Sequence, residues 1–269
     1  MTEIVLVGCG NMGYAMLKGW LASDPSLSVH VVEPNDALRQ RASDAGAVSV
    51  ASADALTVSA PLLIILAVKP QAMAAVVPAY GKFVETGATF VSIAAGTTIA
   101  TLVDLLGRPS PIIRCMPNTP AAIGAGMMVC CHNDAVGSDA VELTTRLLQS
   151  SGEVEWLGNE SLMDAVTAVS GSGPAYFFHF VECLAEAAVK AGLPADVGMR
   201  LARQTAMGAG RLVAEAEDDP ATLRVQVTSP GGTTAAALSV FMQDDRLKNL
   251  VEEAVLAARD RGVELGKGG

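Results

Sequence analysis

The chain has 269 residues, too long for one typical domain and too short for three. It is 51% hydrophobic, which supports a substantial core and excludes general disorder. Its 18 basic and 28 acidic residues leave a net charge of −10 with no basic stripe, and only 4% of residues are aromatic, so a nucleic-acid partner is not expected.

In chain order, β-rich runs at 3–7, 28–32, 62–68, 89–93 and 112–116 alternate with helical stretches at 12–22, 37–45 and 70–83. Apolar strands alternating with crossover helices predict a parallel sheet covered on both faces, with 127–131 and 154–157 adding strands at its edge. From about residue 159 the pattern turns helical, with stretches at 174–191, from Pro194 to about 217, 233–243 and 246–262. These later helices are apolar over wide arcs and rich in Ala and Gly, so they call for a further surface to pack against, and we read them as a dimerisation module. No membrane span is expected, because the strongest apolar run, 61–68, is far below the roughly 18 residues a span needs. The five cysteines are odd in number and form no C-x-x-C, and the three histidines share no ligand spacing with them. Neither a disulfide framework nor a metal site is expected, and the default location is a reducing cytoplasm.

Gly8-Cys9-Gly10-Asn11-Met12-Gly13 fits G-x-G-x-x-G directly after a β-run and at the start of a helix. In that setting the first glycine allows the turn, the second lets a pyrophosphate approach the backbone, and the third lets helix and strand pack closely. The fold class is therefore α/β. A Rossmann-type doubly wound parallel sheet is expected over 1–158, and an all-helical dimerisation and substrate domain over 159–269. Glu33 lies 20 residues after Gly13, where an acid bonds ribose hydroxyls and favours NADH. Asn35 and Arg39 follow it and would suit a 2′-phosphate, hence NADPH; both readings stand at this stage. The later strand ends, Ala67-Val68-Lys69-Pro70, Ala94-Ala95-Gly96 and 116–120 with Asn118, belong at the same carboxyl edge of the sheet, where ligands of such folds bind.

Two Gly-Ser-Pro segments, 170–174 and 228–234, each precede a helix. Read as loops, both offer free backbone N–H groups that could capture a small carboxylate in a chain short of cations. Tyr176, Phe177 and Phe178 read as helix-packing residues, and Cys115, Cys130 and Cys131 as small buried hydrophobes.

With these motifs in order along nearly the whole length, the chain resembles the pyrroline-5-carboxylate reductase family. The residues that carry the resemblance are the glycine motif, 67–70, 92–96, 114–120, 169–176 and, most specifically, Ser229-Pro230-Gly231-Gly232-Thr233-Thr234. The resemblance implies NADPH- or NADH-dependent reduction of L-1-pyrroline-5-carboxylate to L-proline by a homodimer of interlocking helical domains, sometimes stacked into larger rings. It implies that the amides of Gly232, Thr233 and Thr234, with Ser229, hold the substrate carboxylate. It further implies that the Thr234 hydroxyl meets the ring nitrogen and that Glu160 sits near the substrate. Cofactor contacts carry over to Gly8–Gly13, Asn35, 67–70 and 94–96. Asp54 stands where some relatives have a cofactor-contacting Asn, and Gln226 also replaces an Asn. No strong acid or base is needed if the imine binds protonated, which agrees with a chain that places no obvious His or Lys for that work.

Overall fold

The computed structural model describes residues 2–267, which fall into two compact units, residues 2–172 with 258–267, and Gly173–Ala257. The first unit is built on an eight-stranded sheet: β1 (Glu3–Val7), β2 (Ser28–Val32), β3 (Val48–Val50), β4 (Leu63–Leu66), β5 (Thr89–Ser92), β6 (Ile112–Met116), β7 (Gly126–His132) and β8 (Gly152–Trp156). Their order across the sheet is β3-β2-β1-β4-β5-β6-β7-β8, so the winding reverses between β1 and β4. Every pairing is parallel except β6 with β7. That exception to the expected parallel sheet has a geometric cause. Only residues 117–125 join the two strands, and a parallel crossover needs about a dozen residues or more.

Strand residues alternate between two core layers, as a pleat of period two requires. Ile4, Leu6, Val29, Val31, Ile65 and Ile113 pack with Met16, Leu17 and Trp20 of α1 (Asn11–Ser23) and with Leu143 and Leu147 of α5 (Ser138–Gln149). Val5, Val7, Ile64, Leu66, Phe90 and Ile112 pack on the other face with Met73, Val77, Tyr80, Phe83 and with Leu102 and Leu106 of α4 (Ile99–Leu106). The helix α2 (Asp36–Asp44) is capped by Asn35, whose side chain accepts from the Leu38 N–H. The stretch 70–83 is not one helix as its pattern suggests. It divides into a 3₁₀ turn Pro70–Ala72, a single α-turn α3 (Met73–Val76) and a 3₁₀ run Val77–Phe83. Pro78 removes a helical donor inside the stretch and Gly81 weakens it further.

The Gly-Ser segment at 170–174 is not a loop either. The short helix α6 (Met163–Val166) runs into a π-helical turn, Thr167–Gly171, and Ser172 keeps helical backbone. Its polar groups are already engaged, since Ser172 N–H donates to Thr167 O at 2.8 Å and Ser170 Oγ to Val166 O at 3.0 Å. The Ser172 amide is therefore committed within the helical turn.

The second unit is all helical: α7 (Gly173–Lys190), α8 (Ala195–Glu215), α9 (Pro220–Gln226), α10 (Thr233–Met242) and the start of α11 (Arg246–Lys267). Asp219 caps α9, an element the sequence pattern does not single out. No helix among the described residues is long and apolar enough to cross a membrane.

Candidate active site

The glycine motif forms the tight turn its spacing predicts. Gly8 follows β1 with φ +88°, and a Cβ there would lie 2.8 Å from the Ala67 carbonyl oxygen. At Gly13 a Cβ would come within 2.5 Å of Gly8 O, so only glycine lets α1 lie this close to the turn. At Gly10, by contrast, a Cβ would meet nothing within 4 Å, which leaves open space above the loop. The helix begins on Gly10 with no capping side chain and no acid in its first turn. Its first N–H groups and its positive end are thus free for an anion. A dinucleotide pyrophosphate fits this cradle.

Glu33 closes the loop from the end of β2. It is 7% exposed; its Oε2 accepts the Cys9 N–H at 2.8 Å and its Oε1 accepts the Asn35 N–H at 3.0 Å. Arg41, which sequence reading passed over, takes the other side of the same peptide, donating to Cys9 O at 2.8 Å and Gly10 O at 3.3 Å. Its guanidinium also lies 4.0 Å from the Tyr14 ring centroid. Burial pushes the Cys9 thiol up, with Arg41 opposing. Arg39 folds back onto Glu33 O and Pro34 O, at 3.0 and 3.1 Å, and pairs with Asp36.

The remaining nucleotide-side candidates divide. Ala67 adjoins the glycine turn, its N–H donating to Val7 O at 2.8 Å. Val68 is half-buried, while Lys69 and Pro70 are exposed. Asn11 and Asp54 are exposed, the latter in a 3₁₀ turn after β3, and Met12 is half-buried. Ala94 is buried and Ala95 half-buried beyond β5, and a Cβ on Gly96 would meet Leu265 at 3.7 Å. The end of α11 therefore lies against Gly96. Asn118 has both ends of its side chain committed, Nδ2 to Ser170 O at 3.0 Å and Oδ1 to the Met127 N–H at 2.9 Å.

Glu160 is also engaged. Its Oε1 accepts the Ile99 N–H at 2.8 Å, at the start of α4, and pairs with Arg114 at 3.0 Å. Arg114 is 5% exposed within β6, with Asp164 4.0 Å away. A cation in the middle of an apolar strand was the available signal that a carboxylate partner existed.

In the second unit, Ser229–Gly232 makes a turn into α10. Gly231 has φ +70°, and the Gly232 N–H donates to Ser229 O at 3.0 Å. The Gly232 amide, expected from the resemblance to face substrate, is thus committed within the turn. The amides of Thr233 and Thr234 open the helix. Like α1, this helix starts on a glycine with no capping side chain and no acid in its first turn. By contrast α2, α4 and α9 are capped by Asn35, Thr98 and Asp219, and α5 and α8 carry an acid in the first turn.

Comparison with known proteins is decisive. The chain is 40% identical to the pyrroline-5-carboxylate reductase of Pseudomonas aeruginosa, over 98% of this chain and 97% of that one. The chain belongs to the pyrroline-5-carboxylate reductase family. Two family models agree in part or whole: "pyrroline-5-carboxylate reductase dimerisation" matches residues 160–265 and "NADP oxidoreductase coenzyme F420-dependent" matches 3–96. A solved pyrroline-5-carboxylate reductase from Coxiella burnetii superposes with TM-score 0.91 at 32% identity, each chain covered to 98%. One from Plasmodium falciparum, solved with NADP bound, gives 0.82 at 27% identity, also over 98% of both chains.

The second unit carries an apolar groove of about 740 Å³ between α7, α10 and α11, lined by Tyr176, Phe180, Leu184, Phe241, Leu250 and Val251. It falls in the segment that the dimerisation model matches.

Proposed function

We infer that this chain catalyses the NAD(P)H-dependent reduction of L-1-pyrroline-5-carboxylate to L-proline, the last step of proline biosynthesis, as a homodimer whose copies meet through the second unit. The observation that carries the site assignment is the pair of bare helix starts. Both α1 and α10 begin on a glycine with no capping side chain and no acid in the first turn, one after the glycine motif and one after Ser229-Pro230-Gly231. One suits the cofactor pyrophosphate and the other a small carboxylate.

The dinucleotide, when bound, supplies the hydride that the imine carbon accepts. The protein's part is to hold and orient. Gly8, Cys9, Gly10, Asn11, Met12 and Gly13 cradle the pyrophosphate, with Glu33 and Asn35 at the ribose. Ala67, Val68, Lys69, Pro70, Ala94 and Ala95 line the strand ends. The Thr233 and Thr234 amides, with the Ser229 hydroxyl, bind the substrate carboxylate, and the Thr234 hydroxyl bonds the ring nitrogen. Glu160 commits Oε1 to Ile99 and Arg114, which leaves Oε2 for substrate. Bound as the protonated iminium, the substrate gains only a hydride at carbon, so the ring nitrogen needs no further proton and no side chain need act as a strong acid. The five free thiols support a reducing, cytoplasmic location, and the net charge of −10 argues against nucleic acid as a partner.

The test follows nicotinamide absorbance with pyrroline-5-carboxylate and either cofactor. Thr234→Ala lowers turnover roughly 10–100-fold, the loss of one hydroxyl contact worth about 1.4–2.7 kcal/mol, and Thr234→Ser restores most of it. Unaltered kcat and KM in the alanine variant would remove Thr234 from the site.

A further inference from the structure

Resting on the dinucleotide reading above, we propose that Glu33 makes this enzyme select NADH over NADPH. The carboxylate is not a mobile surface acid that could swing away from a phosphate. It is 7% exposed, with one oxygen fixed by the Cys9 N–H at 2.8 Å and the other by the Asn35 N–H at 3.0 Å. Each oxygen keeps a lone pair, so the group can accept bonds from ribose hydroxyls at the place where β2 ends beside the glycine loop. A 2′-phosphate there brings a charge of about −1.5 to −2 against a carboxylate that cannot retreat.

A free cation would offset that phosphate's charge, but both nearby guanidiniums are engaged. Arg39 donates through Nη1 to Glu33 O and Pro34 O, and through Nη2 to the Asp36 carboxylate. Arg41 is held by the Cys9 and Gly10 carbonyls and the Tyr14 ring. Asp54, exposed just after β3, adds a further negative charge near the same strand ends. Glu33 thus both braces the Cys9 peptide and discriminates at the ribose.

Calorimetric titration of the whole enzyme with NADH and with NADPH, in the absence of pyrroline-5-carboxylate, reads this selectivity without turnover. NADH binds at least about tenfold tighter, and Glu33→Gln narrows the ratio to within about threefold by loosening NADH and tightening NADPH. Because Glu33→Gln also disturbs the brace on Cys9, Asp36→Asn supplies a second variant. It releases Arg39 and tightens NADPH several-fold while NADH changes little. Wild-type enzyme that binds NADPH as tightly as NADH, or tighter, overturns the selectivity and leaves the dinucleotide site standing. Failure of both nucleotides to bind overturns the selectivity and the dinucleotide site together. A NADPH affinity unmoved in both variants removes Glu33 and its neighbours from the discrimination.

Discussion

The two units treat their apolar residues differently. In the first, Ile4, Leu6, Trp20, Leu63 and Phe90 are fully buried, each with 0% exposure, and α1, α4 and α5 cover both faces of the sheet. In the second, Phe177 on α7 and Leu250 and Val251 on α11 remain 72, 61 and 51% exposed. The cysteines divide in the same way, four buried in the first unit and Cys183 exposed in the second. Burial is worth about 25 cal/mol per Å² of apolar surface, so the first unit has already gained this term, and in the proposed homodimer the second gains it where a second copy covers the groove. The unit with the glycine turn is closed within one chain. On the proposed function, the unit with the Ser229–Thr234 turn is completed by association.

The largest test of that contrast is a charge placed on the groove. Leu250→Asp puts an unpaired carboxylate into the face that the second copy covers, and loss of about 3 kcal/mol or more weakens the dimer by over 100-fold. Analytical ultracentrifugation at micromolar concentration then shows monomer. Val48→Asp, at an apolar position on β3 of the first unit that is also more than half exposed, leaves the dimer intact. A Leu250→Asp protein that sediments as wild type would show that the copies meet elsewhere.

Inside the first unit, the matching test removes a buried partner. Glu160→Ala strips Arg114 of its 3.0 Å contact and leaves, among the described residues, only the Asp164 carboxylate at 4.0 Å, and it frees the Ile99 N–H. Leaving a buried guanidinium without its close partner costs about 3 kcal/mol, read as a lower urea midpoint with the sedimentation of the folded protein unchanged. The same variant separates the two roles given to Glu160. Bracing alone lowers the midpoint, whereas substrate contact adds a rise in KM for pyrroline-5-carboxylate.

How far the sequence could be read follows the same line between local and long-range causes. The glycine turn, the strand periodicity and the Ser229–Thr234 turn were legible because each depends on residues a few positions apart. The π-helical turn at Thr167–Gly171 was not. Gly and Pro in that segment signal a loop, and the Asn118 side chain that satisfies Ser170 O comes from 52 residues away. The pairing of Arg114 with Glu160 spans 46 residues, and that of Arg41 with Cys9 O spans 32. Glu33 was placed correctly at the strand end, but its bonds to two backbone amides depend on how the loop closes, which only the folded chain shows.

The smallest effect concerns the first unit's buried thiols. Cys131 lies on β7, 1% exposed, and burial pushes its thiol up to about 11, with the Glu160 carboxylate acting in the same direction and Arg114 against it. Cys130 is raised as well, first by its hydrogen bond with Cys115 and then by burial, and burial raises the Tyr80 phenol. Each group is neutral in the folded state at pH values where the unfolded chain has begun to ionise. Stability from Cys131 is therefore complete below pH 9, the reference value for the unfolded thiol, and is lost as pH climbs through 11. Its share is on the order of 2 kcal/mol. Urea midpoints measured at pH 7, 9, 10 and 11 fall across that window, and Cys131→Ala lowers the starting stability but flattens the alkaline fall. Parallel slopes in the two proteins would mean that the Cys131 thiol is ionised equally in the folded and unfolded states, so that β7 is not shielded as the first unit's closed core requires.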